Sequence, residues 1–162
     1  MTFFYEDVLR ALNKAKVDYV VFGAVAAILY GVQRSTMNID IMIDWEARNI
    51  DRFFNILSNL GYRPRLPVTA EQFKDVKLRK QWIHDKGMKV FTFQHKNDDL
   101  RIIDVSVGQL MDYRDVKKEI MHVRNLNVPV ISLKQLKALK QKAGRPKDFG
   151  DLEELKRLEK LT

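Results

Sequence analysis

The chain has no cysteine among its 162 residues. That excludes a disulfide framework, a thiolate metal site and a cysteine nucleophile. No apolar run is long enough to cross a bilayer. The opening, MTFFYEDVLRALNKAK, is interrupted by acids where a signal peptide needs a continuous apolar stretch. The expectation is therefore a cytoplasmic chain with no membrane contact. The G-x-x-x-x-G-K-[ST] phosphate loop, the dinucleotide glycine fingerprint and H-E-x-x-H are missing as well. His84, His95 and His122 stand alone at no metal-ligand spacing, and no Ser, His and Asp set can be picked out as a triad.

What is present is a globular composition, 46% hydrophobic and 31% charged. A single domain over residues 1–162 is expected, long enough to bury a core. The net charge is +8, from 29 Lys and Arg against 21 Asp and Glu. Such a balance favours polyanionic partners, RNA, DNA or nucleoside triphosphates, although many basic domains bind none of them.

The stretch Tyr19 to Asp44, YVVFGAVAAILYGVQRSTMNIDIMID, organises the rest. Tyr19 to Phe22 suits a short buried strand, Gly23 breaks it, and Ala24 to Tyr30 suits a helix that ends at Gly31. A second strand is expected from Asn38 to Ile43. Its parity puts Ile39, Ile41 and Ile43 on one face and Asn38, Asp40, Met42 and Asp44 on the other. The polar face either presents its groups to a ligand or is merely solvated, and periodicity does not separate the two. A helix near Tyr5 to Lys16 precedes this unit, and an amphipathic helix from about Glu46 to Leu60 follows it, with Asp44, or the acidic pair Asp44 and Glu46, at its start.

Tyr62 to Lys86 is basic and carries Trp82. It reads as an aromatic, cationic wall for a nucleotide or nucleic acid, or as a solvated helix face with one Trp in the core. Thr69 and Gln72 match a capping box. Met88 to Gln94 and Leu100 to Val107 form a hairpin signal across a polar turn. Within the second run, Asp104 is costly to bury without a partner cation or a metal. A further short hairpin is expected from Ile120 to Val123 and Val128 to Ile131. Ser132 caps a helix to about Lys142, with Leu133, Leu136 and Leu139 inward and Lys134, Lys137 and Lys140 outward. Asp148 is expected to start a last helix. The lysine-rich helices read as solvated faces, as a nucleic-acid surface or as a contact for a protein partner.

Phosphoryl and nucleotidyl transfer are well served by two divalent ions that clamp the attacking and leaving oxygens in line. Carboxylates hold the hard Mg²⁺ ion best. An acid-x-acid pair on one strand with a third acid on its neighbour supplies that clamp, and a glycine turn before a helix adds N–H groups for phosphates. Gly23, Asp40 and Asp104 are the candidates.

Gly23-Ala24, then Gly31, Arg34, Thr36 and Asn38-Ile39-Asp40, resemble the signature of the DNA polymerase beta-like nucleotidyltransferase superfamily, a Gly-Gly or Gly-Ser turn followed by Asp-x-Asp. Lys142-Ala143-Gly144-Arg145-Pro146-Lys147-Asp148 with Asp151 resembles the C-terminal motif of its small bacterial members, the toxin-type and aminoglycoside-modifying-like nucleotidyltransferases. The resemblance implies an α/β (α+β) nucleotidyltransferase fold: a short mixed sheet flanked by helices, with a helical, basic C-terminal segment from about residue 132. It implies Mg²⁺-dependent transfer of a nucleoside monophosphate from a triphosphate to a hydroxyl of RNA, protein or a small molecule. Gly23 would contact the triphosphate, with Ala24, Arg34 and Thr36 in the same signature, and Lys142, Arg145 and Lys147 would lie near nucleotide or acceptor. Asp40 and Asp104 would bind metal, Asp104 also helping to activate the acceptor hydroxyl.

Two positions depart from the pattern. Ala24 replaces the second residue of the turn, and Asn38 replaces the first metal-binding acid. An amide offers one oxygen but no charge, so the two-metal site is expected to be weakened. Asp44 has the parity to stand in, yet helix capping accounts for it more simply. The alternative is a catalytically silent module that binds nucleotide, nucleic acid or a partner protein, as in a toxin–antitoxin pair.

Overall fold

The computed structural model describes residues 4–161. The first helix, α1 (Glu6–Lys14), buries Val8, Leu9 and Leu12 on one side. Four consecutive buried residues make β1 (Tyr19–Phe22), and α2 (Gly23–Leu29) starts at the next residue. Then come β2 (Asn38–Ile43) and α3 (Ala47–Asn59), which buries Ile50, Phe53 and Leu57. Glu46 is the N-cap of α3, and the Asp44 carboxylate accepts its N–H at 3.2 Å, so both acids stand at the expected helix start. The buried Asn49 amide ties α3 to the start of β1 by accepting from the Asp18 N–H (2.7 Å) and donating to the Asp18 carbonyl (2.9 Å).

The middle of the chain holds β3 (Tyr62–Pro64), α4 (Ala70–Lys74), α5 (Val76–Lys86), β4 (Val90–His95) and β5 (Ile102–Ser106). Thr69 and Gln72 form the capping box of α4. A 3-10 turn at Tyr113–Asp115 leads to β6 (Lys118–Val123), β7 (Leu126–Ile131), α6 (Leu133–Ala143) and α7 (Pro146–Lys160).

Seven strands form one mixed sheet in the order β3-β4-β5-β2-β1-β7-β6. β1 runs antiparallel to β2 and parallel to β7, and β2 runs parallel to β5. The central strands are fully buried at Val20, Val21, Ile39, Ile41, Ile103 and Val105, with α1 and α3 packed together beside them and α2 packed on β2 and α6. One register decides the position of the site. Asp40 pairs with Asp104 across β2 and β5, and Asp104 pairs with Thr92 across β5 and β4. Residues in register on adjacent strands point to the same face, so the two carboxylates become neighbours.

Two expectations need correction. The last helix begins at Pro146, with Arg145 at its N-cap and Asp148 in its first turn, because proline's fixed φ and missing N–H suit the first helical position. Lys140 faces inward at 5% exposure. Of the two readings of the basic segment from Tyr62, which contributes β3, α4 and α5, the one with Trp82 in the core holds, the ring being stacked on Phe91 at 6.2 Å. Arg79, on the same helix, is buried over the Trp45 ring and donates to the Phe73 carbonyl.

Candidate nucleotide-binding and catalytic site

The site is built around a close approach. Gly23 adopts φ +68°, and a Cβ there would lie 2.2 Å from the Asp40 Oδ2 atom. Only glycine combines the left-handed backbone with that clearance. The turn at the end of β1 therefore lies directly against the Asp40 carboxylate.

Asp40 is half-buried, and its carboxyl is pushed up to about 7. Burial is the largest cause and the charge of Asp104 the next, with Lys140, Arg145 and Lys147 pulling the other way. Both causes disfavour the ionised form, so a cation placed between the two carboxylates would be stabilised. Asp104 accepts from the Thr92 hydroxyl at 2.6 Å and from the Asn38 side-chain amide at 2.9 Å. The same amide nitrogen reaches the other Asp40 oxygen at 3.4 Å, and Thr36 donates its hydroxyl to the Asn38 amide oxygen at 3.3 Å. This orientation is the chemically consistent one, since an amide oxygen turned towards two carboxylates would meet only acceptors.

The facing wall comes from α6, α7 and the turn between them. Lys140 Nζ and Arg34 Nη1 both donate to Asp151 Oδ2 at 2.8 Å. Arg145 Nε donates to Asp148 Oδ2 at 2.7 Å, and the Arg145 backbone N–H donates to the same oxygen at 3.2 Å. Burial alone would raise the Asp148 carboxyl, but Arg145 and Lys140 together hold it below the usual carboxylate range. These ion pairs fix the helix pair and aim its cations into the opening.

The positions singled out from sequence border one cleft of about 520 Å³. Gly23 and Ala24 come from the start of α2, and Arg34 and Thr36 from the α2–β2 connection. Asn38 and Asp40 lie on β2 and Asp104 on β5, while Lys142, Arg145 and Lys147 surround the α6–α7 turn. Phe22, Leu110, Leu136 and Leu139 add apolar surface. Lys89, Gln109 and Lys140 also line it and were missed. A signal for Lys140 existed: it follows Leu136 by four residues, which puts it on the same helix face. The Tyr62–Lys86 segment does not reach the cleft.

Among the described residues there is no group of three or more His, Cys, Asp or Glu side chains arranged for a metal. Asp40 and Asp104 alone supply two hard carboxylates side by side, a donor set that suits a divalent cation taking its other oxygens from a bound phosphate or water.

A family model described as aminoglycoside-2''-adenylyltransferase matches residues 5–158. A comparison with curated proteins finds no match. Among solved structures, the chain resembles the lincosamide antibiotic adenylyltransferase LnuA with lincomycin bound, at a TM-score of 0.63, 16% identity and 94% coverage of both chains. It also resembles ANT(2'')-Ia in complex with adenylyl-2''-tobramycin, at a TM-score of 0.57 and 13% identity, over 93% of this chain and 90% of that one. A third is an antigenic nucleotidyltransferase-like protein from Paracoccidioides brasiliensis, at a TM-score of 0.57 and 15% identity, over 96% and 73% of the two chains. At these identities the likeness is one of fold.

Proposed function

The chain belongs to the aminoglycoside-2''-adenylyltransferase family, and from that premise we propose that it moves a nucleoside monophosphate from a triphosphate to the hydroxyl of a small molecule, releasing pyrophosphate. The observation that carries this reading is the placement of Asp40 and Asp104 side by side in a cleft whose opposite wall is cationic. Bound Mg²⁺, held by Asp40 and Asp104, would supply charge neutralisation at the reacting phosphoryl oxygens.

The chain's own residues divide the remaining work. Arg145, Lys142 and Lys147, exposed at the mouth, meet the phosphate charge, and the Gly23 and Ala24 backbone lets a phosphate approach closely. Lys140 and Arg34, anchored on Asp151, extend that cationic wall at depth. Asp104 takes the proton of the acceptor hydroxyl, and Thr92 and Asn38 hold its carboxylate in position. Apolar Phe22, Leu110 and Leu139 exclude water from one side of the cleft. The acceptor is drawn from the class named for the relatives, antibiotics such as lincomycin and tobramycin, rather than RNA.

One observation favours a second reading. The Asn38 amide occupies the place where a third anion would sit, which also suits a silent module that holds nucleotide without turning it over. Incubation with α-labelled triphosphates, Mg²⁺ and a panel of lincomycin, tobramycin and total RNA separates the two. Label transfer by the wild-type chain, lost in Asp104→Asn, supports the enzyme. Transfer by Asn38→Asp alone supports the silent module, and transfer to RNA alone removes the small-molecule assignment.

A further inference from the structure

The third corner of the acidic site is a hydrogen-bond donor. The Asn38 amide nitrogen lies 2.9 Å from Asp104 Oδ2 and 3.4 Å from Asp40 Oδ1, while its oxygen is engaged by the Thr36 hydroxyl. We propose that this cleft takes one divalent cation per chain, not two, and that the ion enters only together with the triphosphate. The inference rests on the nucleotide-binding reading above.

Two ions held close together repel one another, and a clamp of that kind depends on anions placed between or beside them. Here two carboxylates are available, and among the described residues no third His, Cys, Asp or Glu joins them. A second cation beside Asn38 would face N–H groups. Turning the amide over would offer it one neutral oxygen at the cost of the bonds that now hold both carboxylates.

The surrounding charge acts in the same direction. Arg34, Lys89, Lys140, Lys142, Arg145 and Lys147 all line the cleft, and Asp148 is its one acid besides the pair. Asp148 is already engaged by Arg145, and Lys140 and Arg34 share the single carboxylate of Asp151 behind the wall, which still leaves the cations in excess. Without nucleotide, a divalent ion would enter a region of net positive side-chain charge. The triphosphate reverses that sign and brings phosphate oxygens as ligands, so one ion becomes favourable. A second has neither the shared anion nor the charge deficit to hold it. The cationic wall performs at the phosphates the neutralisation that another ion would otherwise perform.

The test counts ions by Mn²⁺ titration of the full chain, with the free ion followed by electron paramagnetic resonance. It is run with and without a non-hydrolysable α,β-methylene triphosphate. Displacement of a fluorescent nucleotide is followed in parallel. The wild-type chain is expected to bind no Mn²⁺ tightly alone and one per chain with the analogue. Asn38→Asp is expected to tighten nucleotide-free Mn²⁺ binding at least tenfold and to reach two ions with the analogue. Asn38→Ala, which removes the amide without adding charge, is expected to stay at one. Two ions on the wild-type chain with the analogue, or one tight ion without it, overturn the inference, whatever the variants do. An Asn38→Asp variant that folds and counts like the wild type overturns it too. If the analogue binds and two ions load, the nucleotidyltransferase reading survives and only the ion count falls. If the analogue fails to bind in the presence of Mn²⁺, both fall.

Discussion

At Gly23 a single methyl group decides whether the site keeps its shape. Gly23→Ala would put a Cβ 2.2 Å from the Asp40 carboxylate on a backbone at φ +68°. The strained backbone alone costs about 1–3 kcal/mol, and displacement of Asp40 by an ångström is expected to reduce transfer roughly 100-fold. Thermal melting and initial rates measure the two effects separately. Asp40 makes a prediction in pH. Its carboxyl is raised to about 7 by burial and by Asp104, against about 3.9 in an unfolded chain. Between those values the folded state binds the extra proton, so the contribution of this group to stability is full below about pH 4 and falls as pH rises through about 7. Asp40→Asn is therefore expected to melt several degrees higher than the wild type at pH 8, with the difference shrinking towards pH 4, while transfer is lost. A melting difference that grows on acidification would contradict this. At this scale the strand parity already placed Asn38 and Asp40 together, since alternation on a strand is a local property. The amide orientation of Asn38 was not legible, because the Asp104 carboxylate that accepts from its nitrogen comes from a distant segment.

Among the elements, the α6–α7 pair carries the cationic wall, and one buried acid holds it. Lys140 and Arg34 converge on a single oxygen of Asp151. Asp151→Ala leaves Lys140, 5% exposed, with only the longer 3.9 Å contact to Asp148. Removing one member of a buried ion pair costs about 3–5 kcal/mol, so this variant is expected to melt well below the wild type. Its triphosphate KM should rise more than its kcat falls. Arg145→Ala, at a more exposed position, is expected to raise that KM with a smaller loss of stability. Most elements were legible from short-range chemistry. β1 spans its unbroken apolar run and β2 its apolar–polar alternation, α4 opens on its Thr69–Gln72 box, and Ser132 caps α6. β3 and α5 were not. β3 is three residues long and depends on pairing with β4, and α5 buries Arg79 and Trp82 in place of a regular apolar stripe. Lys140 was misplaced because a lysine row resembles a solvated face, although its i+4 relation to Leu136 pointed inward.

For the whole molecule, the mixed sheet sets β5 beside β2, and this joins acids far apart in sequence to a glycine turn and to the C-terminal cations. A net charge of +8 gives the triphosphate a favourable field. The screening length falls from about 10 Å at 0.1 M salt to about 3 Å at 1 M, so the triphosphate KM is expected to rise several-fold over that range while melting changes little. The most direct test of the account is acceptor-dependent pyrophosphate release in the presence of Mg²⁺, measured side by side for the wild type, Asp40→Asn and Asp104→Asn. Release by the wild type is expected with a hydroxyl acceptor such as lincomycin or tobramycin, and none above background from either variant. Release that persists in both variants would contradict it.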